Sequence, residues 1–490
     1  MTKKAAIVGA GIGGMATAVR LASKGFEVSV FEANDYPGGK LSSFETNGYR
    51  FDAGPSLFTM PHLVDELFLE ANKTPRDYFQ YQQLEKGCFY FWEDGTHLQA
   101  LKKVEDFAEE VEKKLGVPKK LVLAHFKKSA FIYENTHKIF LENSLHKLQS
   151  YLNFSTFKSI LNLPFIGISK TMHEANKNRF IEHKKMVQLF DRFATYNGSN
   201  PYSAPATLNI IPHLEHHFGA YFPKGGMISI TNCVFELAKT LGVKFHFGKK
   251  VNQILTENGI AKGIEVNNGK LQFDYVISNM DIVPTYKYLL KHEKQPTKVL
   301  NQERSSSALI FYWGIKKEFP QLDLHNLFFS ENYSAEFKHI FEKQNIFNDP
   351  TVYVNISSKF NKNDAPKGCE NWFVMINVPG NFNQDWEKLI EDARQNILIK
   401  LSRILKVDLK TYIETETILD PILIEQKTSS FRGSLYGTSS NNRFAAFFRH
   451  PNFSKNIKKL YFVGGSVHPG GGIPLALSSA KITADLILKD

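Results

Sequence analysis

Residues 5–32 read AAIVGAGIGGMATAVRLASKGFEVSVFE, which is a strand pattern, a glycine-rich turn, a helix pattern and a second strand pattern. Gly9, Gly11 and Gly14 have the spacing G-x-G-x-x-G between the first strand and the helix. This spacing is weak alone, but strand, turn and helix follow here in the order of a dinucleotide-binding unit. The stretch therefore predicts a Rossmann-type α/β unit, with plain turn glycines as the alternative.

The residue types of this unit suit a bound dinucleotide. Gly9 permits the tight turn, Gly11 lets backbone amides approach a pyrophosphate, and Gly14 lets helix and strand pack closely. Glu32, at the end of the second strand, can accept hydrogen bonds from a ribose diol and would repel a 2′-phosphate, while the helix N-terminus attracts the pyrophosphate. The unit therefore predicts FAD or NAD rather than NADP.

The residues after Glu32 separate FAD from NAD. Residues 32–56 read EANDYPGGKLSSFETNGYRFDAGPS, in which Gly38, Gly39 and Lys40 precede a second turn containing Gly54, Pro55 and Ser56. An NAD-dependent dehydrogenase would continue directly into another crossover helix, whereas this chain stays near the far end of the cofactor. The order of motifs therefore favours FAD.

A second glycine-rich turn opens a helix pattern at residues 460–488, LYFVGGSVHPGGGIPLALSSAKITADLIL. Pro474 suits the first turn of a helix, whose N-terminus would direct partial positive charge at a flavin ring. We predict that this turn serves the ribityl chain and ring of FAD, while the first turn serves the pyrophosphate. Its predicted cofactor contacts are Gly464, Gly465, Gly471, Gly472, Ile473 and Pro474.

Composition excludes several classes of protein. The chain has 490 residues, 42% of them hydrophobic, and a formal net charge of +11, and no basic run is interleaved with aromatic residues as nucleic-acid binding would require. Three widely spaced cysteines and the absence of a cleavable apolar leader predict a reducing compartment, most simply the cytoplasm. The uncharged runs 193–214 and 460–480 contain too many prolines, glycines and polar residues to predict membrane spans.

The motifs together resemble the FAD-dependent carotenoid desaturase family, whose best-known members are phytoene desaturases. The resemblance covers almost the whole chain and rests on the first fingerprint, the Gly-Gly-Lys after Glu32, FDAGPSLFTMP (51–61), FDRFATYNGSNPYSAPA (190–206), YFPKGGM (221–227), VISNMD (276–281) and HPGGGIP (468–474). Within the family, residues 52–61 are most similar to the branch that desaturates the 3,4 bond of 1-hydroxylated carotenoids. Val467 and Leu475 depart from the phytoene branch, which usually has threonine and glycine there.

The resemblance implies hydride transfer from an allylic CH2 group to FAD, followed by loss of a proton. It implies that the backbone of Val251 lies against the adenine and that oxygen or a quinone reoxidises the flavin. The candidate catalytic residues are His468, as a proton acceptor or flavin contact, and Asp191 with Arg192, which could orient a polar end group of the substrate. The alternatives are a His468 satisfied by backbone and a structural ion pair between Asp191 and Arg192.

The predicted architecture is α/β, with a Rossmann-type FAD-binding domain and a discontinuous, mixed α/β substrate domain. The FAD domain takes residues 1–72, 223–290 and 455–490, and the substrate domain takes 73–222 and 291–454. Strand patterns between Leu309 and Pro379 predict an antiparallel sheet that forms the floor of a substrate cavity. We predict no metal site and find no oligomeric state specified by the sequence.

Aromatic residues make up 13% of the chain, with 41 phenylalanines. They suit an apolar tunnel for a polyene, or they simply fill the core. Residues 150–175 combine large apolar side chains with flanking lysines, which suggests peripheral contact with the inner face of the cell membrane or, alternatively, short core helices.

Two other functions of the same fold stay open from the sequence. An oxidase of amines or porphyrinogens is the first, although amine oxidases usually build an aromatic cage near the flavin and this terminus offers glycines and Pro474. A non-enzymatic escort of prenylated proteins is the second, and the intact cofactor motifs argue against it. The carotenoid substrate therefore remains the prediction, with phytoene as an alternative to a 1-hydroxylated carotenoid.

Overall fold

The computed structural model describes residues 2–147, 162, 166–442 and 444–490. Its strands, in chain order, are β1 Lys4–Val8, β2 Glu27–Phe31, β3 Ser43–Thr46, β4 Tyr49–Asp52, β5 Tyr81–Gln83, β6 Lys86–Phe91, β7 His97–Leu101, β8 Tyr221–Pro223, β9 Lys244–His246, β10 Val251–Glu257, β11 Ile260–Val266, β12 Gly269–Gln272, β13 Tyr275–Ser278, β14 Ser307–Ile315, β15 His325–Phe328, β16 Val352–Asn355, β17 Glu370–Val378, β18 Ile413–Leu419 and β19 Leu460–Phe462.

The α-helices begin with Ile12–Ala22, called the first helix below, and end with Ile473–Leu488, called the last helix. Between them lie His62–Glu70, Pro75–Tyr78, Val104–Leu115, Lys119–Phe140, Met172–Phe180, Lys184–Asp191, Ile211–His216, Ile228–Thr240, Ile282–Pro284, Thr297–Leu300, Tyr333–Phe341, Trp386–Leu405, Pro421–Thr428 and Ala445–Phe448.

A parallel sheet of five strands, in the order β19-β13-β1-β2-β9, forms the first layer. The first and last helices and the helix Ile228–Thr240 pack on it around small or branched side chains such as Ala16, Val19 and Leu477. Alanines and valines on these helices allow close approach to the sheet, because they present little side-chain bulk. The predicted Rossmann-type unit is therefore present, and strands from distant parts of the chain complete it.

The first glycine turn has the backbone that its sequence predicts. Gly9 has φ of +99°, a value that L side chains rarely adopt. A Cβ atom at Gly14 would lie 2.4 Å from the carbonyl oxygen of Gly9, so a side chain there would push the first helix off β1. The turn therefore depends on glycine for both its conformation and its packing.

A mixed sheet of seven strands, in the order β18-β14-β17-β16-β15-β6-β7, forms the second layer. Its strands pair antiparallel except for β15 with β6. The helix Trp386–Leu405 covers one face through a fully buried core that includes Trp313 and Trp372. The antiparallel sheet predicted between Leu309 and Pro379 is present as part of this larger sheet.

The hairpin β3–β4 connects the two layers. Tyr49 and Phe51 of the hairpin are buried against Ala308, Tyr312 and Phe373 of the seven-stranded sheet. The hairpin, which lies within the predicted FAD domain, thus covers its apolar face with side chains of the second layer.

The described residues include only part of the region that is predicted to contact the membrane. Within these residues, no helix is long and apolar enough to cross a bilayer. Most of the predicted membrane-contact region, 150–161 and 163–165, lies outside the described residues. Ile166, within this region, is buried, and both Ile166 and Ile168 line the large cavity described next.

Candidate active site

A cavity of about 1410 Å³ lies between the carboxyl ends of the parallel strands and the seven-stranded sheet. Val8, Phe31 and Asn279 line it from the first layer, and Ile310 and Phe373 line it from the second. Its volume exceeds the roughly 300–1,000 Å³ of ordinary small-molecule pockets. The cavity therefore has room for a large ligand, or for two ligands side by side.

The cavity wall brings together nearly all of the predicted site residues. Two of the predicted residues do not line it, namely Gly14, which packs behind the turn, and Asp191. Those that line it are Gly9, Gly11, Glu32, Gly38, Gly39, Lys40, Gly54, Pro55, Ser56, Arg192, Val251, Gly464, Gly465, His468, Gly471, Gly472, Ile473 and Pro474.

The two glycine-rich turns meet each other. A Cβ atom at Gly13 would lie 3.2 Å from the Cα atom of Gly464, and one at Gly465 would lie 3.1 Å from the Cα atom of Gly471. The side chain of Asn279 lies between the turns and donates a hydrogen bond to the carbonyl oxygen of Val463 at 3.0 Å. The terminal turn thus lies against the first helix at Gly464, and both turns line the same cavity.

Glu32 and Lys40 have defined partners on the cavity wall. The carboxylate of Glu32 accepts hydrogen bonds from the backbone N–H groups of Ala10 at 2.7 Å and Asn34 at 2.9 Å. The Lys40 ammonium donates to the carbonyl oxygens of Ser434 at 3.1 Å and Leu435 at 2.9 Å. Burial lowers the pKa of Lys40 to about 8, so the charge of this side chain is sensitive to any anion placed nearby.

The turn at residues 52–56 is fixed by two separate contacts. The carboxylate of Asp52 accepts hydrogen bonds from the backbone N–H groups of Met227 and Ile228, where the helix Ile228–Thr240 begins. A Cβ atom at Gly54 would lie 1.9 Å from the carbonyl oxygen of Lys40, so only glycine fits there. The two sequence motifs FDAGP and PKGGM are therefore held together by one carboxylate.

Comparison with known proteins assigns the family. Residues 12–488 match the model of the flavin containing amine oxidoreductases. The chain belongs to this family.

Two curated relatives and one solved structure are similar to this chain over nearly its full length. A 1-hydroxycarotenoid 3,4-desaturase from Flavobacterium sp. (strain P99-3) is 53% identical over 485 residues, covering 99% of each chain. A 4,4'-diapolycopene oxygenase from Methylomonas sp. is 34% identical and covers 99% of this chain and 98% of its own. A triple mutant of putrescine oxidase has the same fold, with a TM-score of 0.65, 15% identity and coverage of 100% of this chain and 99% of that chain.

Membership confirms the predicted fold, the predicted flavin cofactor FAD and the predicted oxidoreductase class. It also confirms the predicted resemblance to carotenoid desaturases, because the 53% identical relative carries that name. The chain is therefore a flavin-dependent oxidoreductase, and its cavity is large enough for FAD and a second ligand.

His468 is neutral and is satisfied by backbone. Its Nε2 atom lies 2.8 Å from the carbonyl oxygen of Asn143, and because a carbonyl only accepts, Nε2 carries the proton. Burial lowers the pKa of His468 to about 3. Of the predicted alternatives for His468, the hydrogen bond to the backbone is present. A neutral imidazole with so low a pKa is a weak base, which does not favour a role as proton acceptor.

Asp191 and Arg192 do not pair with each other, contrary to one of the sequence-based alternatives. Asp191 accepts hydrogen bonds from His173 at 2.6 Å and from Asn176 at 2.8 Å, and it does not line the cavity. Arg192 lies 3.4 Å from the carboxylate of Glu215. Successive residues of a helix point about 100° apart, so the two side chains leave the backbone toward different neighbours.

Four polar residues of the cavity wall, called the polar cluster below, are Arg192, Tyr196, Glu215 and His325. His325 interacts electrostatically with Arg192 and Glu215. Arg192 donates to the hydroxyl of Tyr196 at 2.8 Å, and this hydroxyl donates to Glu215 at 2.6 Å. Arg192 Nε is buried without a hydrogen-bond partner among the described residues. The sequence pointed to Arg192 only, since the other members come from elements that are distant along the chain.

His325 has a proton that finds no acceptor. Its Nδ1 accepts from the amide of Asn355 at 3.2 Å and lies 2.7 Å from the hydroxyl of Tyr353, so Nε2 carries the proton. Burial lowers the pKa of His325 to about 4, and within the described part of the chain its Nε2 atom has no hydrogen-bond partner. The hydroxyl of Tyr353 also lies 2.8 Å from that of Ser56, which connects His325 with the turn at residues 52–56.

Proposed function

We propose that the chain is an FAD-dependent carotenoid desaturase whose preferred substrate is a 1-hydroxylated carotenoid, desaturated at the 3,4 bond. The observation that carries the proposal is the 53% identity, over 99% of both chains, to a 1-hydroxycarotenoid 3,4-desaturase. The polar cluster, which lines the same cavity as the apolar side chains of Leu57, Ile310 and Phe373, supports the hydroxylated substrate. Phytoene has no hydroxyl group that would use such a cluster.

The residues of the cavity fit FAD. The N-cap of the first helix is Gly11, which has no side chain to occupy the backbone N–H groups, so these groups are available to the pyrophosphate. Glu32 would accept hydrogen bonds from the adenosine ribose, and Val251 would lie against the adenine. A Cβ atom at Gly472 would meet nothing within 4 Å, so the terminal turn leaves open space for the flavin ring.

When bound, FAD supplies the acceptor for a hydride from a CH2 group beside the polyene. Leu57, Ile310 and Phe373 present apolar surface that would bind the polyene and exclude water. The N-terminus of the last helix, at Ile473 and Pro474, would add partial positive charge near the ring. A proton must also leave the substrate, and His468 is too weak a base to be assigned this step.

The polar cluster would orient the substrate. In a 1-hydroxylated carotenoid the hydroxyl carbon is separated from C3 by a single carbon, so its hydrogen-bond partner must lie close to the reacting bond. His325 offers an unpaired Nε2 proton to a hydroxyl oxygen, and its connection through Tyr353 to Ser56 supports a position near the cofactor. Burial of a hydroxyl without such a partner would cost about 1–3 kcal/mol.

We also propose the predicted division into domains, peripheral attachment to the inner face of the membrane through residues 150–175, and oxygen or a quinone as the final electron acceptor. A hydrophobic substrate that resides in the bilayer supports the attachment. The net charge of +11 supports contact with anionic lipids.

One experiment tests the reaction. The FAD-loaded protein is incubated with liposomes that contain either phytoene or a 1-hydroxylated γ-carotene-type substrate, and the absorption spectrum is followed. We expect a red shift with the hydroxylated substrate. A shift with phytoene alone would refute the 3,4-desaturase assignment, and no shift with any carotenoid despite bound FAD would refute carotenoid desaturation itself.

A further inference from the structure

Arg449 is a buried cation on the cavity wall, beside the terminal glycine turn. Only 2% of its surface is exposed, and a Cβ atom at Gly470 would lie 3.2 Å from the guanidinium carbon. Its Nη2 atom contacts the oxygens of Asn197 and Ser440, each at 3.3 Å, while Nη1 is buried with no hydrogen-bond partner among the described residues. The guanidinium therefore has spare hydrogen-bonding capacity toward the turn.

Arg449 differs from Arg20, Arg192 and Lys400, which are also buried. Arg20, Arg192 and Lys400 each have a carboxylate within 4.0 Å, whereas no ion pair involving Arg449 is found within the described ranges. Burial lowers the pKa of Arg449 to about 10, which leaves the side chain charged at neutral pH. A buried charge without a counter-ion is costly, so the site calls for an anion that the protein itself does not provide.

The neighbours of the glycines in the terminal turn indicate which anion Arg449 would contact. Gly464 adjoins the first helix, Gly465 adjoins Gly471, and Gly470 adjoins Arg449. Arg449 thus contacts the terminal turn at Gly470, whereas the first helix contacts that turn at Gly464, and the pyrophosphate would lie at the first helix. The proposed substrate is a neutral hydrocarbon alcohol, so it supplies no anion either.

We propose that Arg449 is the counter-ion for the negative charge that the flavin ring acquires on reduction. This inference rests on the proposed function, which places the ring at the terminal turn. In the reaction, a C–H bond of the substrate breaks with both electrons passing to the flavin as hydride, and a second hydrogen leaves the substrate as a proton. The substrate is oxidised, its proton passes to water, and the flavin gains two electrons and one negative charge. Oxygen or a quinone later takes these two electrons together with the flavin's hydrogen as a proton and one proton from water, and so becomes hydrogen peroxide or a hydroquinone. Arg449 would thereby favour reduction without touching the reacting carbon.

The holoenzyme without substrate provides the test. Arg449→Gln keeps polar contact with Asn197 and Ser440 but removes the charge, and Arg449→Lys retains the charge. The midpoint potential of bound FAD and the affinity for sulfite, which adds to electron-poor flavins, are measured for both variants and for Arg403→Gln as an exposed control. We expect at least about a tenfold loss in the reduction equilibrium for Arg449→Gln, which is about 30 mV for two electrons, and a similar loss of sulfite affinity. Arg449→Lys should recover most of both.

An unchanged potential and sulfite affinity in FAD-replete Arg449→Gln would overturn the inference. If Arg449→Gln does not retain FAD, the midpoint potential of FAD bound to the wild type is compared with that of free FAD. We expect the bound FAD to have the higher potential, and a lower potential would overturn the inference. Failure of the proposed function would show differently, as no carotenoid desaturation by a wild-type protein that binds FAD and has the expected potential.

Discussion

Gly13 and Gly464 lie so close together that a Cβ atom on Gly13 would be 3.2 Å from the Cα atom of Gly464. They belong to the two glycine-rich turns, which are separated by more than four hundred residues in the chain. The contact joins the first helix to the loop before the last helix. The edge of the parallel sheet that lines the cavity is therefore assembled from both ends of the chain.

Gly13→Val should abolish FAD retention, because the added side chain would force the two turns and Asn279 apart. Overpacking of a close-packed site costs about 1–3 kcal/mol. We therefore expect the FAD content of the purified protein, measured from the ratio of flavin to protein absorbance, to fall at least about tenfold. Gly25→Ala is the matched control, since Gly25 has a positive φ of +84° but nothing within 4 Å of its added Cβ. Normal FAD content in Gly13→Val would contradict the placement of the pyrophosphate.

Gly472→Asp should abolish desaturation while leaving the fold intact. The added Cβ would meet nothing within 4 Å, so the substitution places a negative charge in open space beside the N-terminus of the last helix. A negative charge there opposes the accumulation of electrons on the flavin. Gly472→Asn has the same size and the same strained φ without the charge, and we expect it to retain part of the turnover. Turnover by Gly472→Asp at the wild-type rate, with normal FAD content, would refute the placement of the ring.

His325→Phe should reduce the preference for hydroxylated substrates. The substitution removes the unpaired Nε2 proton, and a hydrogen bond of this kind contributes about 1–3 kcal/mol when its loss leaves a buried group unpaired. We expect kcat/KM for a 1-hydroxylated carotenoid to fall by roughly tenfold to a hundredfold, and that for the same carotenoid without the hydroxyl to change little. Equal losses for both substrates would show that His325 has only a structural role, and the melting temperature provides the control for stability.

Stability should fall as pH rises from about 5 to about 7, because burial raises the pKa of Glu336 to about 7 from its ordinary value of 4.5. The folded state therefore holds a proton that the unfolded state has released across this interval, so the stabilisation is present below pH 4.5 and is lost as pH rises through 7. Glu336→Gln removes the titration while keeping an amide oxygen for the N–H of Thr351.

The measurement is the melting temperature of both proteins across this pH interval. The difference between Glu336→Gln and wild type should grow with pH in favour of the variant, by up to about 3 kcal/mol in the free energy of unfolding. A difference that does not depend on pH would contradict the raised pKa.

Local patterns of residues were sufficient to predict the elements that carry the two glycine-rich turns. The strand, turn and helix of residues 4–22 and the Asn-Gly turn at residues 258–259 all follow from period and turn chemistry, and Asn258 and Gly259 both have the positive φ that such turns require. The glycine motifs, taken together with their order along the chain, also predicted the flavin cofactor. These features depend on neighbours along the chain, so the sequence determines them directly.

Pairing of side chains could not be predicted in the same way. Asp191 and Arg192 are adjacent in sequence, yet Asp191 contacts His173 and Arg192 contacts Glu215. The hairpin at residues 43–52 follows the first cofactor motif but packs on the second sheet. In each case the partner is selected by the packing of whole elements.

The sequence by itself thus determined the Rossmann-type unit, the flavin cofactor and the resemblance to carotenoid desaturases, because the spacing of the glycines restricts the backbone conformation of the turns. Only the tertiary structure decided that the two glycine turns touch, that His325 joins Arg192 in a polar cluster, and that Arg449 is buried beside Gly470 without a carboxylate among the described residues. The physical reason is that burial and hydrogen bonding are set by residues that folding brings together from distant parts of the chain.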